Sequence, residues 1–235
     1  MIFSLIDVAT QYARRCRMLR DNDIYETLLH RLMMNGFTHG QKVKAEHLRQ
    51  EFGCSASTIR EALFRLSTLG LVEFREQRGF RVPEKSDQVR HELTHLRVLL
   101  ETEGTAMSIR LGGVAWEARL TAAHHQLSHL EMRLQAAMDK TPFVDLWFDA
   151  ERQFHETLIS ACGSESLRAT HQQVYCRFRQ QLMVEDRGFD FISENIKQHQ
   201  QILDAALSGD EMLTRQKIHD HLARHLKPAQ AFEPT

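Results

Sequence analysis

The chain has 235 residues, of which 42% are hydrophobic and 26% are charged, an ordinary balance for a globular protein and too apolar for a disordered one. Glycine (11) and proline (4) are scarce, which excludes collagen-like, low-complexity and turn-dense β-sandwich chains and favours long helices. The net charge is −1, but residues 1–83 carry 13 basic and 9 acidic side chains, whereas residues 84–235 carry 17 and 22. The first part is therefore the better candidate to meet a polyanion.

The sequence predicts a cytoplasmic protein. No stretch approaches the 18 consecutive apolar residues of a membrane-spanning helix, so no membrane partner is expected. The basic residues near the N-terminus follow the apolar ones, which is the reverse of the order in a secretory signal. The four cysteines are far apart and form no Cys-x-x-Cys pair, as expected of reduced thiols rather than of disulfides or a cysteine-ligated zinc.

Residues 1–22 are predicted to form an amphipathic helical extension that runs into a basic cluster of four arginines. This extension could serve as an extra DNA-contacting arm or as a helix that packs in a dimer, and the sequence leaves both roles open. Asp23 is a plausible N-cap for a helix over 24–34, and the Asn, Gly and Thr residues of 35–40 break that helix.

Residues 45–82 have the order helix, short turn, helix, β-hairpin. Gly53 ends a helix over 45–52, and Ser55 can cap a second helix over 56–69. Two segments of strand-like composition then flank the turn at 76–79. This order is the winged helix-turn-helix layout, which we assign to residues 23–83, with residues 84–87 as a polar linker.

The second helix of the pair opens with small polar residues, as a helix that presents its N-terminal end to base edges and phosphates requires. Glycine beside arginine at the hairpin tip would let the backbone approach a groove closely. The candidate DNA-binding residues are Ser55, Ser57, Thr58, Arg60, Arg65, Arg75, Arg78 and Gly79. A winged helix that serves protein contacts instead is the alternative.

From residue 88 onward the apolar pattern is helical throughout. Six helices are predicted, near 88–111, 115–138, 143–162, 165–185, 193–207 and 210–226. Because their connections are short, we expect an antiparallel all-α bundle over 88–230. The predicted fold class is therefore mainly α, with a winged helix-turn-helix followed by this bundle.

The segment from Phe52 to Val72 resembles the signature of GntR-family transcription regulators. It carries the run Arg60-Glu61-Ala62-Leu63, then Gly70-Leu71-Val72, and Arg78-Gly79 follows at the interval of the family's wing. The family usually has arginine where this chain has Ala56, and proline where it has Thr58. The resemblance implies DNA binding. Because Ala56 stands where the family usually has arginine, it also implies either a different operator sequence or a larger contribution of Arg60 and the wing to DNA affinity.

The bundle resembles the FCD-type ligand-binding domain of the FadR-like subgroup. The matching motifs are Arg97-x-x-Leu-Glu101, Glu151-x-x-Phe-His155, His199-x-x-Ile-Leu-x-Ala205, Gly209-Asp210 and His221-Leu222. Six helices rather than seven place the chain nearer the metal-binding branch of that subgroup than the acyl-CoA-binding one. In the resemblance, Arg97 reaches toward the metal pocket and can hold a carboxylate through its guanidinium fork.

Four residues of these motifs form a candidate metal site. Glu151 and His155, at i and i+4, point from one helix face, while His199 and His221 lie on the last two helices. One carboxylate and three imidazoles suit a divalent Zn, Ni or Mn ion. The family mostly has aspartate where this chain has Glu151, which would shift or weaken the site. The alternative for Glu151 and His155 is an ordinary side-chain pair on the helix surface. The alternative for Arg97 is an ion pair with Glu101 within one helix.

The resemblance implies a homodimeric regulator, most often a repressor, that binds a short palindromic double-stranded DNA operator. It also implies a small organic-acid effector, coordinated by the metal, in the bundle. Two alternatives stay open at this point: the metal is itself the signal, or the three histidines activate a water in an enzyme. No general base stands at a diagnostic spacing, so we expect no enzyme.

Overall fold

A computed structural model of the chain describes residues 21–34, 36–182 and 191–226, and divides it into two compact units between Lys85 and Ser86. The described part is mainly helical with one small sheet, as predicted. The predicted extension lies outside the described residues except at its last two positions, which already belong to the first described helix.

The helices and strands have the following bounds. The helices are α1 (Asp21–Met33), α2 (Ala45–Phe52), α3 (Ala56–Thr68), α4 (Asp87–Leu111), α5 (Gly113–Ala136), α6 (Thr141–Leu158), α7 (Glu165–Gln181), α8 (Ile192–Leu207) and α9 (Glu211–Ala223). The strands are β1 (Lys42–Val43), β2 (Glu73–Arg75) and β3 (Gly79–Arg81). None of the described helices is long and apolar enough to cross a membrane.

The turn of the helix-turn-helix has the predicted caps. Gly53 ends α2 with a φ of 63°, a left-handed conformation that glycine adopts without steric cost. The Ser55 hydroxyl then accepts a hydrogen bond from the Thr58 amide at 3.1 Å and caps α3. The predicted N-cap at Asp23 is wrong. Its carbonyl accepts from the Thr27 hydroxyl one turn later, so Asp23 lies inside α1.

The wing is a three-stranded antiparallel sheet in the order β1-β3-β2. Val43 of β1 and Phe74 of β2 both pair with Phe80 of β3. The rings of Phe64, Phe74 and Phe80 lie 4.7–5.1 Å apart between centroids, which fastens the wing to α3. Strand β1 was missed in the sequence because two residues cannot show a period-2 pattern.

In the second unit, α4 packs against α7 and α9, and α5 packs against α6 and α8. Ser86 caps α4 by accepting from the Val89 amide, which starts the helix one residue earlier than predicted. Helix α6 ends at Leu158 rather than near residue 162, because Ile159 to Cys162 form a buried turn. The described part of the bundle buries five histidines and three glutamates.

At Gly104, α4 packs closely against Ile159 and Leu167. A Cβ added there would lie 2.8 Å from Ile159 Cγ2 and 3.0 Å from Leu167 Cδ2, closer than packed carbon atoms allow. Glycine in mid-helix is therefore required by packing and not by backbone conformation.

We expect Gly104→Ala to lower the free energy of unfolding, because overpacking costs about 1–3 kcal/mol and exceeds the roughly 0.5–1 kcal/mol that alanine gains in a helix. Urea unfolding of the full chain measures this. Thr102→Ala on the same helix, where the side chain is only half-buried, should change stability by less than about 0.5 kcal/mol. Unchanged or increased stability of the Gly104 variant would contradict the close packing.

Candidate DNA-binding surface and metal centre

The N-terminal end of α3 is exposed and organised by its own hydroxyls. Ser55, Ser57 and Arg60 are exposed and Thr58 is half-buried. The Ser55 and Ser57 hydroxyl oxygens are 2.6 Å apart, and the Thr58 hydroxyl lies 3.1 Å from that of Ser55. The predicted polar residues are thus grouped at the positive end of the helix dipole, an arrangement that favours a phosphate.

A groove of about 520 Å³ runs between α3 and the wing. Of the predicted DNA-binding residues, Arg60, Arg78 and Gly79 line it. Lys42 and Lys44 line it as well, and sequence reasoning missed both because β1 was not recognised. The groove therefore gathers four cationic side chains on one surface.

Arg75 and Arg65 are not among the residues that line this groove. Arg75 lies 3.0 Å from Glu73 and contributes to the other side of the wing with Lys42. The Arg65 guanidinium lies over the Tyr25 ring of α1, 4.0 Å from its centroid, which gives it a packing contact between α1 and α3.

Three of the predicted metal ligands converge inside the bundle. His155 of α6, His199 of α8 and His221 of α9 each offer a ring nitrogen, and these atoms lie within 4.8 Å of one another. All three side chains are buried, at 0–1% exposure. We call these three residues the histidine triad.

Buried carboxylates fix the orientation of two triad rings. His155 Nδ1 lies 2.7 Å from Glu101 Oε2, and His199 Nδ1 lies 2.9 Å from Glu131 Oε1. A carboxylate can only accept, so each Nδ1 carries a proton, and in a neutral ring the Nε2 then keeps a lone pair for a metal. Neither Nε2 has a hydrogen-bond partner among the described residues. A ring that donates from one nitrogen to a carboxylate and leaves the other bare is typical of a metal-bound histidine.

The third ring is held by an amide and is kept neutral. His221 Nδ1 lies 2.9 Å from Gln198 Oε1. Burial, with the neighbouring His199 and Arg224, holds the pKa of His221 well below its usual range, and burial likewise lowers the pKa of His155. Metal ligation requires neutral imidazoles, so the residues present fit a divalent ion.

Glu151 lies beside the triad, with its Oε1 3.5 Å from His155 Nε2. Its Oε2 accepts from the Tyr175 hydroxyl and lies 3.5 Å from Arg179. Burial alone would raise the pKa of Glu151, but Arg179, His155 and Arg97 together lower it to about 2. The group is thus a permanent anion at the edge of the triad, and its role as a fourth ligand stays a prediction.

Arg97 takes part in an ion pair and also lines a cavity. Its Nε donates to Glu101 Oε1 at 2.7 Å, which is the ion pair within α4 that the sequence offered as an alternative. Its guanidinium also borders a cavity of about 170 Å³, next to His221 and Glu151. One terminal nitrogen of Arg97 is buried without a partner among the described residues.

Sequence reasoning missed Glu131, Gln198 and Arg179. In the sequence each is a polar residue on a helix with no distinguishing motif, and only the packing of α5, α7 and α8 brings them to the triad. Glu101 was named as part of a motif, but its contact with His155 crosses from α4 to α6 and leaves no local signal.

Comparison with known proteins agrees with both units. Residues 20–82 match the gntR family of bacterial regulatory proteins, and residues 92–224 match the FCD domain. The chain is 30% identical over 196 residues to the uncharacterized transcriptional regulator BphR of Paraburkholderia xenovorans, covering 82% of this chain and 78% of BphR. It is 25% identical to the transcriptional repressor GlaR of Escherichia coli, covering 85% and 91%.

A solved structure of E. coli McbR/YncC has a TM-score of 0.74 to this chain at 18% identity, covering 88% of this chain and 95% of McbR/YncC. A GntR regulator structure from Rhodococcus has a TM-score of 0.68, covering 88% and 98%. The chain belongs to the GntR family of bacterial regulators, with an FCD domain after its winged helix. It is a DNA-binding transcription regulator, and the relatives that it matches are regulators rather than enzymes.

We expect Arg60→Ala to weaken DNA binding, because Arg60 lies at the exposed end of α3 and borders the cationic groove. The loss of one good base contact costs about 1–3 kcal/mol. Fluorescence anisotropy on a DNA fragment that the wild-type chain selects would measure it. Arg119→Ala, an exposed change on α5, should leave affinity unchanged. Wild-type affinity in the folded Arg60 variant would exclude this face as the one that docks on DNA.

Replacement of His199 and His221 by alanine together should abolish metal binding, because only one triad nitrogen would remain. Elemental analysis after zinc loading should give about one ion per wild-type chain, as a single site requires. His219→Ala is the matched control, since His219 is on the same helix with its side chain 51% exposed. A folded double variant that binds as much zinc as the wild type would show that the triad is not the site.

Proposed function

We propose that this regulator is a homodimeric repressor whose operator affinity is set by a small organic acid bound in the FCD domain with the help of a divalent metal. The observation that carries the proposal is the histidine triad, with two bare Nε2 atoms, at the border of an arginine-lined cavity. The protein would act in the cytoplasm, where its DNA target lies.

His155, His199 and His221 would hold the metal, with Glu151 beside them as a candidate fourth ligand. Zn, Ni and Mn all accept this donor set. When bound, the ion would supply a Lewis acid that attracts a carboxylate oxygen of the effector. The protein's own contribution is the guanidinium of Arg97, which has a buried N–H group available to a carboxylate.

The size of the cavity favours a small effector. Its volume of about 170 Å³ is below the range of roughly 300–1,000 Å³ that is usual for drug-sized ligands. An acid of few carbon atoms fits this volume, and an acyl-CoA does not. The position of the cavity against His221 and Glu151 would allow one carboxylate to meet both the metal and Arg97.

Dimerisation and repression are supported by general arguments and by one relative. Two winged helices that meet two half-sites at once bind more tightly than one, so a change in their separation alters affinity strongly. GlaR, a relative of similar length, is a transcriptional repressor. An effector can shift operator affinity only if it binds two conformations of the chain unequally.

The proposal is tested by measuring operator binding of the full chain, both zinc-loaded and metal-stripped. Each sample is measured with and without a panel of small acids. We expect an active acid to weaken DNA binding by about 5–150-fold in the zinc-loaded chain and to have little effect in the stripped one, since allosteric coupling amounts to about 1–3 kcal/mol. Analytical ultracentrifugation of the same samples should show a dimer.

Two results would contradict the proposal. A change in DNA affinity with zinc alone, and none with any acid, would make the metal itself the signal. An equal response to the acid with and without zinc would remove the metal from effector binding.

A further inference from the structure

The cavity beside the histidine triad is lined by three guanidinium groups, those of Arg97, Arg179 and Arg224. We propose that the effector is a small dianion, a dicarboxylate with a short alkyl spacer, and that Arg224 holds its second carboxylate. This inference rests on the proposed function, since it specifies the acid that the same cavity binds.

Two of the three guanidiniums are buried and incompletely hydrogen-bonded. Arg97 and Arg179 are 1% and 5% exposed. One terminal nitrogen of Arg97, and the Nε and one terminal nitrogen of Arg179, have no acceptor among the described residues. A buried charged donor without an acceptor is costly, so these groups are suited to a ligand that brings carboxylate oxygens.

Arg224 lies at the exposed edge of the same cavity. Its guanidinium lies over the Phe191 ring, 5.1 Å from the centroid, and donates to the Asn195 side chain. These contacts hold a cation at the edge, while Arg97 lies deep beside the triad. A ligand that reaches both arginines needs an anionic group at each end.

The balance of charge around the cavity also favours a dianion. Among the described residues, the three guanidiniums are offset by three carboxylates, those of Glu101, Glu131 and Glu151, of which the first two are fully buried. A divalent ion in the histidine triad would leave this described set of groups with an excess of two positive charges. Buried charge is stable only when it is paired, and a dicarboxylate would neutralise both.

Apart from the three arginines and Glu151, His221 and His225, the described residues that line the cavity are apolar. Trp147, Phe178 and Leu182 contribute to the lining, together with Leu222 from α9. Such walls suit the methylene groups between two carboxylates and do not satisfy the hydroxyls of a sugar acid. The volume of about 170 Å³ limits the length of this spacer to a few carbon atoms.

The proposal is tested by isothermal titration calorimetry of the zinc-loaded full chain. The ligands are the dicarboxylates from malonate to adipate and the monocarboxylate of each chain length. We expect the best dicarboxylate to bind at least about tenfold more tightly than its matched monocarboxylate, because one further charge-assisted contact contributes about 1.5 kcal/mol or more. Arg224→Gln should abolish this preference, because it removes the cation that the second carboxylate meets. Arg215→Gln, a change on α9 at a residue paired with Glu103 and outside the cavity lining, should retain the preference.

Arg224→Lys provides a second variant that keeps the charge and should keep part of the preference, which separates loss of the charge from loss of the fold. Equal affinity of the wild type for mono- and dicarboxylates, or a preference that persists in Arg224→Gln, would overturn this inference and leave the proposed function intact. Absence of binding by every acid to the folded, zinc-loaded chain would overturn the proposed function as well.

Discussion

The buried carboxylate of Glu101 is the interaction on which the arrangement of the bundle core depends. It accepts from Arg97 Nε at 2.7 Å, from His155 Nδ1 at 2.7 Å and from His171 Nε2 at 3.0 Å. These donors belong to α4, α6 and α7, so one side chain ties three helices together. Burial alone would raise the pKa of Glu101, but Arg97 and His155 hold it well below its usual range, and the group stays an acceptor. An uncharged replacement would leave buried donors unpaired.

Because Glu101 fixes the donor nitrogen of His155, it also decides which nitrogen is left for a metal. Glu131 has the same effect on His199 from the opposite pair of helices, α5 and α8. The core thus buries lone pairs and N–H groups that have no hydrogen-bond partner among the described residues, and Arg97, Arg179 and His221 of this core also line a cavity. Binding of an ion and an acid would satisfy those groups, so the same interactions that cost stability in the empty bundle provide affinity for a ligand.

The order of the elements could be predicted from the sequence, because the helical period and the caps at Gly53 and Ser55 are local signals. The triad was also found, since its residues lie in motifs shared with a family. What could not be predicted depends on contacts between distant segments. Strand β1 is defined by its pairing with the distant strand β3, in which Lys42 pairs with Arg81 and Val43 with Phe80. Glu131 contacts His199, and Arg179 contacts Glu151, only because their helices pack together. The contact of Arg65 with Tyr25 likewise joins two helices and leaves no local signal, and the DNA-binding role of Arg65 stays a prediction.

The proposed metal centre is the histidine triad, in which buried carboxylates orient the rings of His155 and His199. Zinc-edge X-ray absorption of the zinc-loaded chain tests it most directly. The account predicts a first shell with imidazole nitrogens at about 2.0–2.1 Å, with the outer-ring scattering typical of about three histidines, and oxygen in the remaining positions. A spectrum with sulfur ligands, or with oxygen alone and no imidazole scattering, would contradict it.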